Sequence, residues 1–130
     1  KHEVGKPKKI YYYNSRNGFI LDAYVLNKQT ENIFYFEIKR QNAAGNAHER
    51  AYKFHPFGGI AEYLKEEVLN VNYNPIGFIF YGEFAETEKY IVEISTAFRN
   101  YEDFYLLDNG SIDKREQFLY NVKNIIDREV

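Results

Sequence analysis

The chain has 130 residues and a mass of 15.5 kDa, which is the size of one domain. It contains no cysteine, and this excludes disulfide bonds, thiolate metal sites and cysteine catalysis. Its formal net charge is −2 and its pI about 6.0, so any nucleic-acid binding must come from a local basic or polar surface.

The first nine residues are basic and polar, and they carry four lysines. We favour a loose terminal arm for 1–9, with an arm that contacts phosphates as the alternative. The chain has no methionine, so we expect further sequence upstream of a single domain over 1–130. No apolar run approaches the roughly 20 residues that a membrane-spanning helix needs.

Two strands joined by a polar turn are predicted next, over Phe19–Leu26 and Ile33–Arg40. Side chains alternate between the two faces of a strand, so residues two apart share a face. The apolar face is predicted to hold Phe19, Leu21, Ala23 and Val25 from the first strand and Phe34, Phe36 and Ile38 from the second. Asp22, Glu37 and Lys39 would then lie together on the other face.

The rest of the chain alternates between predicted helices and strands. A helix is predicted from Asn46, because Asn46 is a good N-cap and Glu49 completes a capping box. The further elements, in order, are a helix over 60–69, a buried strand over Ile76–Tyr81, a helix over Tyr90–Tyr101 after Thr87, a short strand over Phe104–Leu107 and a helix over Asp113–Glu129. This order predicts an α/β fold, a mixed central β-sheet flanked by helices.

A possible metal site lies in the first two strands. Glu37-Ile38-Lys39 follows Asp22 by 15 residues, and both acids belong to the predicted hairpin. Two carboxylates and a strand carbonyl are hard oxygen ligands of the kind that Mg²⁺ prefers, and a nearby lysine can stabilise developing charge. The alternative is a solvated ion pair on an edge strand, although the apolar run at 76–81 favours a central sheet.

A second motif is the small-residue segment Ala43–Arg50. A tight turn followed by a capped helix accounts for Gly45, Asn46 and Glu49. The functional alternative is a backbone that approaches base edges closely, with Asn46 suited to adenine and Arg50 to a purine.

Together these two motifs resemble the type II restriction endonucleases of the EcoRI/MunI group, within the PD-(D/E)XK superfamily. The matching residues are Asp22, Glu37-Ile38-Lys39-Arg40-Gln41 and Gly45-Asn46-Ala47-His48-Glu49-Arg50. The pattern is nearer to MunI than to EcoRI, and weaker similarity runs from Asn17 to Glu129.

The resemblance implies a nuclease domain that cleaves double-stranded DNA with Mg²⁺, as a homodimer, in a bacterial or archaeal cytoplasm. Asp22, Glu37 and Lys39 would be catalytic, and Asp22, Glu37 and the carbonyl of Ile38 would hold the metal. An AATT core would be read by the DNA-binding residues, namely Ala43, Ala44, Gly45, Asn46, Ala47 and Arg50. Glu49 would brace the reading arginine.

Three departures from the family pattern bear on specificity. Leu21 replaces the usual proline, which is not a ligand. Ala44 stands where MunI-like enzymes place an arginine that reads the outer base pair, and the link from Gln41 to Gly45 is short. We therefore expect a four-base AATT target, with GAATTC or CAATTG as the fallback because Ala43 can touch an outer cytosine.

Three other functions stay open at this point: a structure-specific nuclease of the same superfamily, such as a resolvase or repair enzyme; a non-catalytic DNA-binding domain; and, if the motif match is a coincidence, an unrelated interaction domain. The reading segment argues against the first, and the intact acidic pair with its lysine argues against the second. For Tyr11-Tyr12-Tyr13 we favour packing in the protein over stacking on DNA. His2 and His55 are assigned no role.

Overall fold

The structure, a computed structural model, describes residues 1–40, 52–56, 58–83 and 87–128. The strands in these ranges are β1 (His2–Gly5), β2 (Ile10–Tyr11), β3 (Gly18–Phe19), β4 (Ala23–Asn27), β5 (Ile33–Arg40), β6 (Ile76–Tyr81) and β7 (Tyr105–Asp108). The helices are α1 (Gly59–Tyr63), which continues as a π-helical turn (Leu64–Val68), α2 (Glu88–Ala97) and α3 (Ile112–Ile126). Single 3₁₀ turns lie at Tyr52–Phe54 and Glu102–Phe104.

Five strands form the main sheet in the order β1-β4-β5-β6-β7. β1, β4 and β5 pair antiparallel, whereas β5, β6 and β7 pair parallel. β5 is therefore the strand at which the sheet changes direction. The predicted mixed sheet flanked by helices is confirmed. Within the described ranges, no helix is long and apolar enough to cross a membrane.

Both faces of the sheet are covered by apolar side chains. One cluster lies on the face of α1 and α2 and contains Phe19, Leu21, Tyr35, Phe54, Ala61, Leu64, Ile76, Phe78, Phe80, Ile94 and Phe98. The second lies beneath α3 and contains Phe34, Tyr73, Leu106, Phe118, Val122, Ile125 and Ile126. The neighbours Phe34 and Tyr35 thus enter opposite clusters, as strand alternation requires. We call these the α1/α2 face and the α3 face.

The strands and helices with strong patterns form where the sequence predicts them. β6 has the predicted bounds, and it is buried between β5 and β7. The last helix is capped by Ser111, whose hydroxyl accepts from the Lys114 N–H. It ends at Ile126, before the predicted end at Glu129, and Asp127 and Arg128 are not helical.

The first predicted strand is wrong as a continuous element. The chain pairs with β2 at Gly18–Phe19, leaves the ladder, and re-enters the main sheet at Ala23. Phe19 and Leu21 pack on the α1/α2 face, whereas Val25 packs on the α3 face, so they do not share a face. The strand-like pattern of side chains continues through the break, so the sequence does not reveal it.

The prediction of a loose terminal arm over residues 1–9 is also wrong for the first half of that segment. Residues 2–5 form β1, an edge strand on β4. His2 Nε2 lies 2.7 Å from an Asp127 carboxylate oxygen, and the Tyr24 hydroxyl donates to Glu3. These contacts tie the N-terminus to the last helix and to the sheet.

Two helix predictions have partial outcomes. α2 begins after Thr87 as predicted but ends at Ala97, and Asn100 follows with a positive φ of 73°. The start of the helix predicted from Asn46 lies outside the described residues. The chain that follows it is described from a 3₁₀ turn at Tyr52–Phe54.

Candidate active site

Glu37 and Lys39 lie on the α1/α2 face of β5. In the parallel register, Glu37 is opposite Phe78 and Lys39 is opposite Phe80, and both phenylalanines belong to the α1/α2 cluster. The Glu37 side chain is only 4% exposed, whereas Lys39 is half-buried. A charged pair therefore sits at the margin of an apolar core, as the strand alternation predicts.

Asp22 reaches this pair from the break before β4. Its backbone N–H donates to the Phe36 carbonyl at 3.0 Å, and its carboxylate accepts from the Ile38 N–H at 2.7 Å. A side-chain oxygen of Asp22 thus takes the place of a backbone partner for β5. The arrangement brings the two predicted acids together although 15 residues separate them in the sequence.

The carboxyl of Glu37 is strongly perturbed by its surroundings. The pKa of Glu37 is raised from 4.5 to about 8, first by burial, then by a hydrogen bond to Asp22 and by the charge of Asp22. The charges of Lys39 and Lys53 act in the opposite direction. Lys39 Nζ lies 3.9 Å from Glu37 Oε1, a long ion pair. At Glu37, burial and the neighbouring Asp22 therefore outweigh the two lysines.

These side chains open into one cleft of about 480 Å³. It is lined by Lys9, Gly18, Phe19, Ile20, Asp22, Glu37, Lys39, Lys53 and Phe54. The sequence analysis missed Lys9 and Lys53 as members of the site. No motif contains Lys53, and only the packing of Phe54 in the core brings it beside Glu37.

The donor set is small. Among the described residues, no group of three acidic, histidine or cysteine side chains is placed to hold a metal ion. Asp22 and Glu37 supply two carboxylates, and the Ile38 carbonyl stays a predicted third ligand.

The predicted DNA-reading residues, Ala43, Ala44, Gly45, Asn46, Ala47 and Arg50, and the bracing Glu49 lie outside the described residues. The histidines that were given no role have structural contacts. His55 Nε2 donates to the Ala97 carbonyl, and its ring stacks on Phe98 at 4.9 Å.

The preference for packing of the three tyrosines is wrong for two of them. Tyr11 is 56% exposed and Tyr13 is 79% exposed. Tyr12 is less exposed, with its ring 5.7 Å from that of Phe19. The aromatic run therefore presents part of its surface to solvent.

Comparison with known proteins finds a matching restriction-enzyme family and a similar solved structure. Residues 6–128 match the family described as type II restriction enzyme MunI. Among solved structures, the crystal structure of MunI restriction endonuclease in complex with cognate DNA is similar to this chain. It has a TM-score of 0.76 and 24% sequence identity, and the match covers 98% of this chain and 83% of that one.

No curated protein sequence gives a significant match. The structural similarity shows a shared fold, and the family match spans nearly the whole chain, including Asp22, Glu37 and Lys39. This chain belongs to the MunI family of type II restriction endonucleases.

Proposed function

We propose that this enzyme hydrolyses duplex DNA with Mg²⁺ at a palindrome with an AATT core, and that Asp22, Glu37 and Lys39 are its catalytic residues. The observation that carries the proposal is the meeting of two carboxylates and a lysine in one cleft. The MunI endonuclease to which the chain is similar was crystallised with cognate DNA, which supports DNA as the substrate. We assign its action to the bacterial or archaeal cytoplasm, as for the family.

The chemistry of the site fits a hard divalent cation. Burial raises the pKa of Glu37 first, and the hydrogen bond to Asp22 and the charge of Asp22 raise it further, so a cation beside the two carboxyls would favour their ionised forms. Mg²⁺ is held by one or two carboxylates and keeps several waters, so a pair of acids is sufficient. Asp22, Glu37 and the Ile38 carbonyl would hold the ion. When bound, it would supply positive charge to the reacting phosphate.

The protein side chains have separate parts in the hydrolysis. Asp22 and Glu37 would hold the ion, which would supply positive charge beside the scissile phosphodiester. Lys39, beside Glu37, orients the attacking water and stabilises the negative charge that develops on the phosphate oxygens. The attack of water forms a new P–O bond, the P–O bond to the leaving sugar oxygen breaks, and that oxygen takes up a proton from solvent. The proton that water loses passes to solvent.

Specificity is assigned to the segment that follows β5. We propose that Gly45, Asn46, Ala47 and Arg50 read the inner AATT and that Glu49 braces Arg50. Ala43 and Ala44 offer only small contacts beyond the core. A good bidentate contact contributes about 1–3 kcal/mol of discrimination, so its loss from each half-site relaxes the demand on flanking pairs.

Catalysis is tested with isosteric substitutions. Asp22→Asn and Glu37→Gln should each lower plasmid cleavage by about a hundredfold or more, because each removes a charged ligand. Lys39→Ala should do the same without removing a ligand. Binding of an AATT duplex in EDTA should persist or tighten in the two acid variants, since phosphate repulsion falls.

Glu62→Gln, an exposed acid on α1, is the matched control and should cleave like the unaltered protein. Cleavage by Glu37→Gln at the rate of that control would refute the catalytic assignment. Circular dichroism spectra of all variants establish that the fold is retained.

Specificity is tested by digesting genomic DNA to completion and sequencing the ends. Ends that share AATT with all flanking pairs are expected. Cuts confined to one flanking pair at enzyme excess would refute the four-base target, and a smear without a common sequence would indicate a structure-specific or non-specific nuclease.

A further inference from the structure

A short hairpin beside the cleft, with the segment that leads into it, carries several cations and exposed tyrosines. β2 and β3 form it, and residues 12–17 form its tip. Between Val4 and Leu21 the sequence has no acidic residue, but it has the cations Lys6, Lys8, Lys9 and Arg16. The protein as a whole has a net charge of −2, so this positive segment is a local departure.

The hairpin is held in a fixed place. The Tyr12 N–H donates to the Asn17 carbonyl at 2.9 Å, and Asn14 has the positive φ of 54° that the turn needs. The Tyr63 hydroxyl on α1 donates to the Tyr11 carbonyl at 2.9 Å. A Cβ on Gly18 would lie 2.0 Å from the Ile10 carbonyl oxygen, so only glycine allows this strand pairing.

The hairpin displays polar groups outward from this anchored base. Tyr13 and Arg16 are exposed at the tip, and among the described residues Arg16 has no ion-pair partner. Lys9 Nζ lies 5.4 Å from the centre of the Tyr11 ring. Lysine, arginine and tyrosine side chains are common partners of DNA phosphates, where they set position without reading sequence.

The hairpin is also continuous with the candidate active site. Lys9, Gly18 and Phe19 line the same cleft as Asp22 and Glu37. A DNA strand carries a phosphate about every 3.4 Å of helix axis, so a phosphate in the cleft places its neighbours against the rim. Two ionised acids repel DNA, and nearby cations are needed to offset that repulsion.

We propose that the β2–β3 hairpin, with Lys9, Tyr13 and Arg16, holds the DNA backbone next to the scissile phosphate independently of sequence. This inference rests on the proposed function of the cleft. The hairpin positions the duplex, and base reading belongs to another part of the chain.

The test is duplex binding in Ca²⁺ at several salt concentrations, with an AATT duplex and a duplex that lacks AATT. Arg16→Ala should weaken both by a similar factor, about three- to tenfold, and reduce the slope of log K against log salt by about 0.9. Tyr13→Ala should weaken both duplexes with little change of slope, because it removes no charge. Arg16→Glu should weaken them further.

Lys28→Ala and Tyr120→Ala are the matched controls and should bind like the unaltered protein. Lys28 is exposed at the far end of β4, about 20 Å from Asp22 at about 3.3 Å per residue. Tyr120 is an exposed tyrosine on α3, the helix that covers the other face.

The outcomes separate this inference from the function on which it rests. Unaltered salt slope and affinity in Arg16→Ala and Tyr13→Ala, while the unaltered protein binds and cleaves, would overturn the hairpin proposal alone. A loss confined to the AATT duplex would also overturn it, since that is base reading. If the unaltered protein binds neither duplex, the proposed function fails and this inference fails with it.

Discussion

The buried carboxyl of Glu37 makes the free energy of unfolding depend on pH. In the unfolded chain Glu37 has a pKa near 4.5, whereas in the folded protein its pKa is about 8. Above pH 4.5 the unfolded state therefore binds fewer protons than the folded state. Linkage then requires the free energy of unfolding to fall as pH rises from about 4.5 to about 8.

We predict that Glu37→Gln stabilises the metal-free protein at pH 8 but has little effect at pH 4.5. The difference should be a few kcal/mol, because one pKa unit corresponds to about 1.4 kcal/mol. Urea denaturation in EDTA at the two pH values measures it. Glu62→Gln, at an exposed site, provides the comparison, and an equal gain from both substitutions would contradict the prediction.

The proposed metal site makes a second prediction for the same carboxyl. At pH 8 we predict that millimolar Mg²⁺ raises the melting temperature of the unaltered protein, since a ligand that binds only the folded state stabilises it. Glu37→Gln should respond much less. An equal rise in both proteins would show that the ion binds elsewhere.

Gly77 is required by close packing in the centre of β6. A Cβ there would lie 2.7 Å from the Phe34 ring and 3.1 Å from that of Phe118. We predict that Gly77→Ala lowers the free energy of unfolding by about 1–3 kcal/mol, the usual result of overpacking a core. Gly59→Ala is the control, because nothing lies within 4 Å of its added Cβ. Equal effects in urea denaturation would refute this reading.

At the scale of elements, the sequence predicts what periodicity and length make strong. β5, β6 and α3 have long apolar patterns that only one assignment fits. β1 escapes prediction because its HEVG sequence holds one apolar residue, Val4, which is exposed. Its place depends on pairing with β4, a partner about 20 residues away that no local pattern reveals.

The candidate site divides in the same way. Asp22 joins the site from the break before β4 and not from a continuous strand. Glu37 and Lys39 are predicted together because strand alternation puts them on one face. Lys53 and the exposed tyrosine run are not, because their positions depend on how the hairpin and the chain after β5 pack on the α1/α2 face. The sequence shows which side chains are present, but which of them become neighbours depends on the tertiary structure.

The polar turn between β4 and β5 also caps the end of α3, a role that its composition does not predict. The side-chain amides of Asn27 and Asn32 are buried, and both donate to the Ile126 carbonyl at the end of α3. Such carbonyls have no partner within their own helix. The turn therefore caps the last helix and ties it to the sheet.

The contact between β1 and α3 should weaken in acid. Hydrogen bonds from His2 and Lys123 hold the pKa of Asp127 at about 2, below its ordinary 3.8. Because the folded-state pKa is the lower one, the stabilisation is present above pH 3.8 and is lost as pH falls towards 2. We predict that Asp127→Asn melts below the unaltered protein at pH 5 and that the gap narrows at pH 3. A gap that widens at pH 3 would contradict this.

At the scale of the molecule, a palindromic target requires a two-fold symmetric reader. We propose a homodimer on DNA and predict two chains per AATT duplex in analytical ultracentrifugation at micromolar concentration with Ca²⁺. The Lys39→Ala variant should assemble in the same way, because the role that we propose for Lys39 is at the phosphate and not at the partner. An active complex with one chain per duplex would contradict the dimer.

The pairing of β5 gives Asp22 a structural role besides its proposed catalytic one. β4 pairs with residues 33–36 of β5, whereas residues 37–40 pair with β6 alone, and on the open side the Asp22 carboxylate occupies the Ile38 N–H. An unoccupied strand margin is a template on which another chain can add, so this carboxylate also guards against aggregation. Of substitutions at these two proposed catalytic positions, Lys39→Ala is therefore expected to stay more soluble than Asp22→Ala, which would expose that margin.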